Sequence, residues 1–297
     1  MNRSSSAIAF AVACAGVAIF SAMDAVVKGL ALTIGTYNTL LWRSFAGVVV
    51  SIVPWMMRRP PLPSRAAIWL HVQRGAVSAV MAMLFFWGLA RTPMAQAIAL
   101  SFIAPLIAQG LAVVMLGERM KPGALLGSLL ALAGVIVILA GQANMAMSAD
   151  ALLGAGAVLL SALCYAYNII LMRRQAQVAD PYEVACLQNV AVALCLALAS
   201  PWWAEVPDVR HAPMIIIAAL LATISLFLLS WAYARRQASY LAPTEFTAFL
   251  WASLFGYLIF AEHLYLTTVA GAALIVAGCL VAARAAPEPA FEREVVP

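Results

Sequence analysis

The chain predicts an all-α polytopic membrane protein with ten transmembrane helices built from two inverted five-helix repeats. Three observations lead there: an apolar excess that no water-soluble core could hide, ten separate runs of membrane-crossing character, and a half-length segment written twice. The 297 residues are 65% hydrophobic and only 10% charged, with a mean hydropathy of +0.98. A soluble domain is about half apolar and about a quarter charged. The solvent for most of this surface is therefore lipid.

A helix needs roughly 20 apolar residues to cross the hydrocarbon core. The runs that meet this lie at 7–30, 36–56, 70–91, 94–116, 122–141, 151–172, 181–200, 213–233, 239–261 and 265–284. Connections between them are too short to hold a soluble domain. The first run, preceded by Arg3, resembles a secretory signal, but the internal repeat needs it as a helix.

The formal charge of +5 would suggest nucleic acid in a soluble protein. Here the basic residues fall between apolar runs, so they report orientation instead, and no nucleic-acid partner is expected. With the N-terminus inside, the cytoplasmic segments hold Arg3, Arg58, Arg59, Arg65, Arg119, Lys121, Arg173, Arg174, Arg235, Arg236, Arg284 and Arg293, whereas the external loops hold Arg91 and Arg210. A multi-pass protein of the inner membrane with both termini cytoplasmic is the expectation. Cys14, Cys164, Cys186, Cys195 and Cys279 are scattered without a CxxC and read as small apolar fillers. The three histidines stand at span ends without ligand spacing, so neither a metal nor another cofactor is expected.

WGLARTPMAQ (87–96) superposes on WAYARRQASY (231–240) at an offset of 231 − 87 = 144. The same ungapped offset carries Glu118 onto Glu262, Gly127 onto Gly271 and Gly134 onto Gly278. The expected units are 1–145 and 146–290, followed by a cytoplasmic tail, 291–297. A repeat of five helices, an odd number, must face the membrane in opposite senses in its two copies. Inverted repeats are the architecture of alternating-access carriers, with the site near midplane between the halves.

Lys28, Arg43, AIALSFIAPL (97–106), LGE (116–118), APTEFT (242–247), FAE (260–262) and the four paired glycines resemble the EamA family of the drug/metabolite transporter superfamily over almost the whole chain. That resemblance implies a basket of ten helices around a central cavity that moves small metabolites. The chain is also similar to the superfamily's amino-acid exporter branch, which implies aromatic amino acids or methionine as cargo. PTEFT is similar to members carrying other metabolites, such as S-adenosylmethionine.

Asp24 and Lys28 lie four apart inside the first span, where ionisable groups are expensive and face a bundle interior or wet cavity. They can pair on one helix face, Lys28 can snorkel to the headgroups with Asp24 neutralising it, or Lys28 can engage a carboxylate of substrate or protein at the cavity mouth. Arg43 reaches a similar depth on the second span, so the three are expected to meet at the external mouth of the cavity. Glu245, behind Pro243, is a candidate for a substrate ammonium or a coupled proton, or a partner of Arg235 or Arg236. A proline frees carbonyls in the preceding turn, and Pro105 is expected to do the same in the other half. Glu118 and Glu262 read as charges complementing helix N-termini, and the glycines as packing inside the bundle or between protomers. Trp42, Trp87, Tyr165 and Trp251 are candidate aromatic walls, with Ser101, Asn168 and Gln96 as uncharged polar contacts. No catalytic cluster of Asp/His or Ser/His stands at one depth, so an enzyme is disfavoured. The absence of a charged or Gly-rich filter disfavours a channel. A secondary transporter of a small metabolite, with the bilayer as its other partner, is the reading; oligomeric state stays open.

Overall fold

The structure is a computed structural model, which describes residues 3–285 except 58–62, 117–121, 145–148, 176–177, 180, 234, 236–240 and 242–243. Glu118, Pro243, Arg236 and the tail 291–297, on which several expectations fall, lie outside the described residues. So do Arg58, Arg59, Arg119, Lys121 and Arg293.

The first repeat comprises α1 (Arg3–Ile34), α2 (Thr36–Met57), α3 (Arg65–Leu89), α4 (Met94–Ser101), α5 (Ala104–Leu116) and α6 (Pro122–Asn144). The second comprises α7 (Ala149–Gln175), α8 (Pro181–Ala197), the short α9 (Ser200–Trp203), α10 (Ala212–Tyr233), α11 (Thr247–Phe260) and α12 (Leu266–Ala285). Among the described residues, five helices are long and apolar enough to cross a membrane, and five shorter apolar helical stretches accompany them. The ten correspond to the ten expected spans.

Local chemistry sets the boundaries. Gly35 adopts a left-handed φ of 80°, a conformation that glycine takes at no steric cost, and turns α1 into α2 within one residue. Ser64 caps α3 by accepting from the Ala67 amide at 3.1 Å, so α3 starts five residues earlier than expected. The fourth span breaks after Ser101. Pro105 has no N–H, the Phe102 and Ile103 amides fall back on Ala99 and Leu100, and Cys279 Sγ donates to the Phe102 carbonyl at 3.2 Å. The expected proline break is therefore there, with a thiol from α12 satisfying one freed oxygen.

Packing inverts the rule of soluble helices. On α6, Gly127, Ala131, Gly134, Ile138 and Gly141 turn inward, while Leu125, Leu126, Leu129, Leu132 and Ile136 are exposed. Lipid tails solvate leucine as well as protein does, so helices associate through small residues that let backbones approach closely. A side chain at Gly134 would collide with the Gly271 carbonyl and Ile275, and one at Gly278 with the Gly127 carbonyl and Ala131. The paired glycines thus pack within the bundle, which decides between the two readings left open.

These contacts also fix the symmetry. Along α6 the order 127, 134, 141 meets 278, 271, 267 along α12, so these equivalent fifth helices run antiparallel. The pseudo-two-fold relating the repeats is consequently perpendicular to the helices and lies in the membrane plane. Other pairings obey the same exchange: α3 packs on α7 as α10 packs on α1, α3 on α8 as α10 on α2, and α4 and α5 on α7 as α11 packs on α1. Phe102 and Phe246, equivalent at the 144-residue offset, meet edge to face at 5.3 Å. Arg91 lies 3.7 Å over Trp87 and donates to its carbonyl; Arg235 lies 3.9 Å over Trp231 and does likewise.

Candidate functional site

Polar groups in the bundle gather at two ends of α3 and between them. His71 is near its start and Thr92 just beyond its finish, about 30 Å apart at the helical rise.

At the Thr92 end, the Lys28 ammonium donates to the Thr92 carbonyl at 2.6 Å and to Glu262 Oε1 at 2.5 Å, and lies 5.2 Å from the centre of the Phe260 ring. Glu262 Oε2 accepts from the Met94 amide at 2.7 Å, the first residue of α4. The expected Asp24–Lys28 pairing does not form. Glu262, expected only to complement a helix N-terminus, does that for α4 and also neutralises the lysine. Lys28 is 4% exposed, so it does not snorkel.

Asp24 is 1% exposed, and its Oδ1 has no hydrogen-bond partner. The charge that acts on it is Arg43 of α2. Arg43 reaches Met23 Sδ at 4.0 Å and sits 6.0 Å from the Phe86 ring centre, its Nε unpartnered. In place of the expected three-charge ring, Lys28 binds Glu262, and Asp24 and Arg43 lie within electrostatic reach of each other without a hydrogen bond between them among the described residues.

At the other end, Arg74 donates from Nε to Asn168 Oδ1 at 2.9 Å and from Nη1 to Gln175 Oε1. Asn168 Nδ2 donates to Ser78 Oγ at 2.7 Å, which also takes Gln188 Nε2 at 2.9 Å. Gln175 Nε2 faces His71 Nδ1 at 2.5 Å, and His71 Nε2 faces Glu183 at 3.0 Å. This network ties α3 to α7 and α8. Tyr165, mid-way along α7, keeps 46% exposure, and the charges acting on it are Glu245 and Arg74.

Other candidates lie apart. Trp42 Nε1 donates to the Glu205 carbonyl at 2.9 Å, holding the loop before α10. Trp87 carries the Arg91 guanidinium, and Ser101 Oγ returns to the Ala97 carbonyl of its own helix. Gln96 is 1% exposed, with Nε2 unpartnered. Trp251 lines an apolar cavity of about 270 Å³ with Cys14, Thr247, Leu250 and Leu254. A second cavity between α3, α5 and α7, about 450 Å³, is lined by Val77, Val80, Leu111, Leu163, Cys164 and Tyr167 among others. Neither contains a charged side chain. Arg235 lies over Trp231, Glu245 is within electrostatic reach of Tyr165, and Arg236, the other expected partner of Glu245, is outside the described residues.

Arg74, His71, Gln175 and Glu183 were not among the sequence candidates. A signal existed: His71, Arg74 and Ser78 at i, i+3 and i+7 form one polar stripe on an apolar helix, facing Asn168 and Gln175 seven apart on α7. No group of three or more His, Cys, Asp or Glu among the described residues could hold a metal.

The pseudopaline exporter of Pseudomonas aeruginosa is 24% identical over 89% of this chain and 92% of its own length. A riboflavin transporter of Brucella anthropi is 26% identical over 71% of this chain and 75% of its own. A solved crystal structure, 21% identical, superposes over 95% of this chain and 97% of that one with a TM-score of 0.59, which concerns the fold alone. The model of the EamA-like transporter family matches twice, over residues 7–140 and 152–284. These two matches cover both repeats found in the sequence, and the chain belongs to the EamA-like transporter family, multi-pass membrane carriers of small metabolites rather than enzymes.

Proposed function

We propose that the protein exports hydrophobic or aromatic amino acids across the inner membrane by alternating access, with both termini cytoplasmic. The observation that carries this reading is the Arg74 guanidinium inside the bundle, held in place by Asn168 and Gln175 of α7, with Tyr165 within electrostatic reach of Arg74 and of Glu245. A zwitterion needs a cation for its carboxylate, an anion for its ammonium and an apolar wall for its side chain. Arg74 serves the carboxylate, with Asn168 orienting the guanidinium; Glu245 serves the ammonium and Tyr165 contacts the side chain. Lys28 and Glu262 close the external end, and Asp24 with Arg43 lies between gate and site. Trp42, Trp87, Ser101 and Trp251 then act by positioning elements rather than by touching cargo. Export is supported by a relative named as an exporter, and inward termini by the arginine pattern. Purified protein in liposomes should show saturable counterflow of phenylalanine, tryptophan or methionine. Glu245→Gln should weaken it about tenfold or more, the worth of a charged hydrogen bond. Flux absent for all three but robust for riboflavin would reject the amino-acid reading and leave the carrier.

A further inference from the structure

We propose that His71 is a proton-binding site that opposes substrate-carboxylate binding through the Gln175 amide. The proposal rests on the reading of Arg74 as the carboxylate's partner, and it follows from donor and acceptor counting. A guanidinium can only donate, so Gln175 must turn its oxygen to Arg74, as it does. Its amide nitrogen must then donate to His71 Nδ1, which leaves that nitrogen no room for a proton. His71 is therefore the Nε2–H tautomer, donating to Glu183 at 3.0 Å. The polarity of the chain Glu183, His71, Gln175, Arg74, Asn168 is fixed from one end to the other.

A proton arriving at Nδ1 makes His71 a donor on both sides. Gln175 must rotate to accept it, and its NH₂ then faces the NH of Arg74. Arg74 loses one of the two acceptors that α7 gives it. In the neutral state Nε and Nη1 are both held, Nη2 takes no partner among the described residues, and the fork is preorganised for a carboxylate. Protonation undoes that preorganisation, while Glu183 compensates the new charge. The charged group bonded to His71 is Glu183 from α8; Arg74 stands one turn on along α3, and the buried Cys186 one turn beyond Glu183 on α8. Tyr165 lies within electrostatic reach of Arg74, and Glu245 within reach of Tyr165; Arg43 of α2 lies against Phe86, about four turns along α3. Proton and substrate thus exclude each other, the relation an exporter needs to run on an inward proton gradient.

With three histidines in the chain, ¹⁵N NMR of the imidazoles reads the tautomer without any substrate. The Nε2–H form at about pH 8 is expected for His71; an Nδ1–H form overturns the proposal. Phenylalanine affinity should fall at least about fivefold between about pH 8 and about pH 5.5, within the usual range of coupling. His71→Gln can still donate to Glu183 and accept from Gln175, so its affinity should stay at the tight value at both pH values. Gln175→Met removes the clamp and should stay at the weak value at both. Either variant keeping the wild-type slope overturns the proposal. If no amino acid binds at any pH, the substrate reading fails, and the imidazole spectrum alone decides the polarity of the chain.

Discussion

Glu262 follows Ala261, whose φ of 52° makes it the left-handed non-glycine residue of the described chain. Holding alanine there costs about 1 kcal/mol. The kink folds the Glu262 carboxylate back over Gly256, where a Cβ would meet its Oε2. There it lies between the Lys28 ammonium and the Met94 amide. Gly256→Ala should therefore evict the carboxylate and strand a buried ammonium, at a cost of about 3–5 kcal/mol. A thermal-denaturation series should show Gly256→Ala losing as much stability as Glu262→Gln, and the double variant little more than either. Additive losses would mean that the glycine does not act through Glu262. The importance of Lys28 was legible from its cost in a span, but its partner was not. Helical spacing pointed to Asp24 four residues away, whereas the partner lies 234 positions along the chain, a distance that only the closure of the two repeats brings to 2.5 Å. Arg74 was missed for a related reason. Near the start of a span it has the position of a snorkelling residue, and its burial depends on α7.

The helices themselves were readable because lipid demands long apolar runs, and their positions agree with the sequence to about five residues except in the ninth span, expected from 239, where α11 starts at Thr247. Less readable were the interruptions. Pro105 announced the gap between α4 and α5, but not the Cys279 thiol that completes the Phe102 carbonyl. The short α9 (Ser200–Trp203) went unforeseen because four residues carry no period. The α6–α12 seam was signalled by glycines seven apart and is the tightest place to test. Gly134→Val puts a branched side chain against the Gly271 carbonyl, and overpacking of this kind costs about 1–3 kcal/mol. Leu132→Val, on the exposed face of the same helix, should change stability by less than about 0.5 kcal/mol. Melting temperatures in one detergent would compare them; equal effects would place the seam elsewhere.

At the scale of the molecule, inversion was legible from an odd helix count and arginine placement, and α6 crossing α12 antiparallel supplies the geometry. Which loops face the cytoplasm is a separate matter. Cysteines replacing Arg91 and Arg235 should react with an impermeant maleimide from opposite sides of intact cells, Arg91→Cys from outside. Labelling of both from one side would reject the inverted orientation. The repeats hold each other through helix faces, α6 on α12 above all, then α3 on α7 and α1 on α10. Residues 1–146 and 147–297, expressed as two chains, should therefore co-purify and transport, whereas each alone should aggregate or be degraded.

The ring contact between Phe102 and Phe246 has a consequence for ancestry. A residue that sits on a two-fold axis is its own partner, so a single substitution in a half-length chain creates both sides of the contact in an antiparallel homodimer. The same holds for the seam, where each Gly134–Gly271 approach has its reciprocal in Gly278 and Gly127. Such contacts need no covalent link to arise, and a gene duplication followed by fusion would inherit them complete. What fusion adds is the freedom for the copies to diverge: Lys28 and Glu262 can then become unlike charges on unlike halves, a pairing across two ends of one chain that a dimer of identical halves must make twice or not at all.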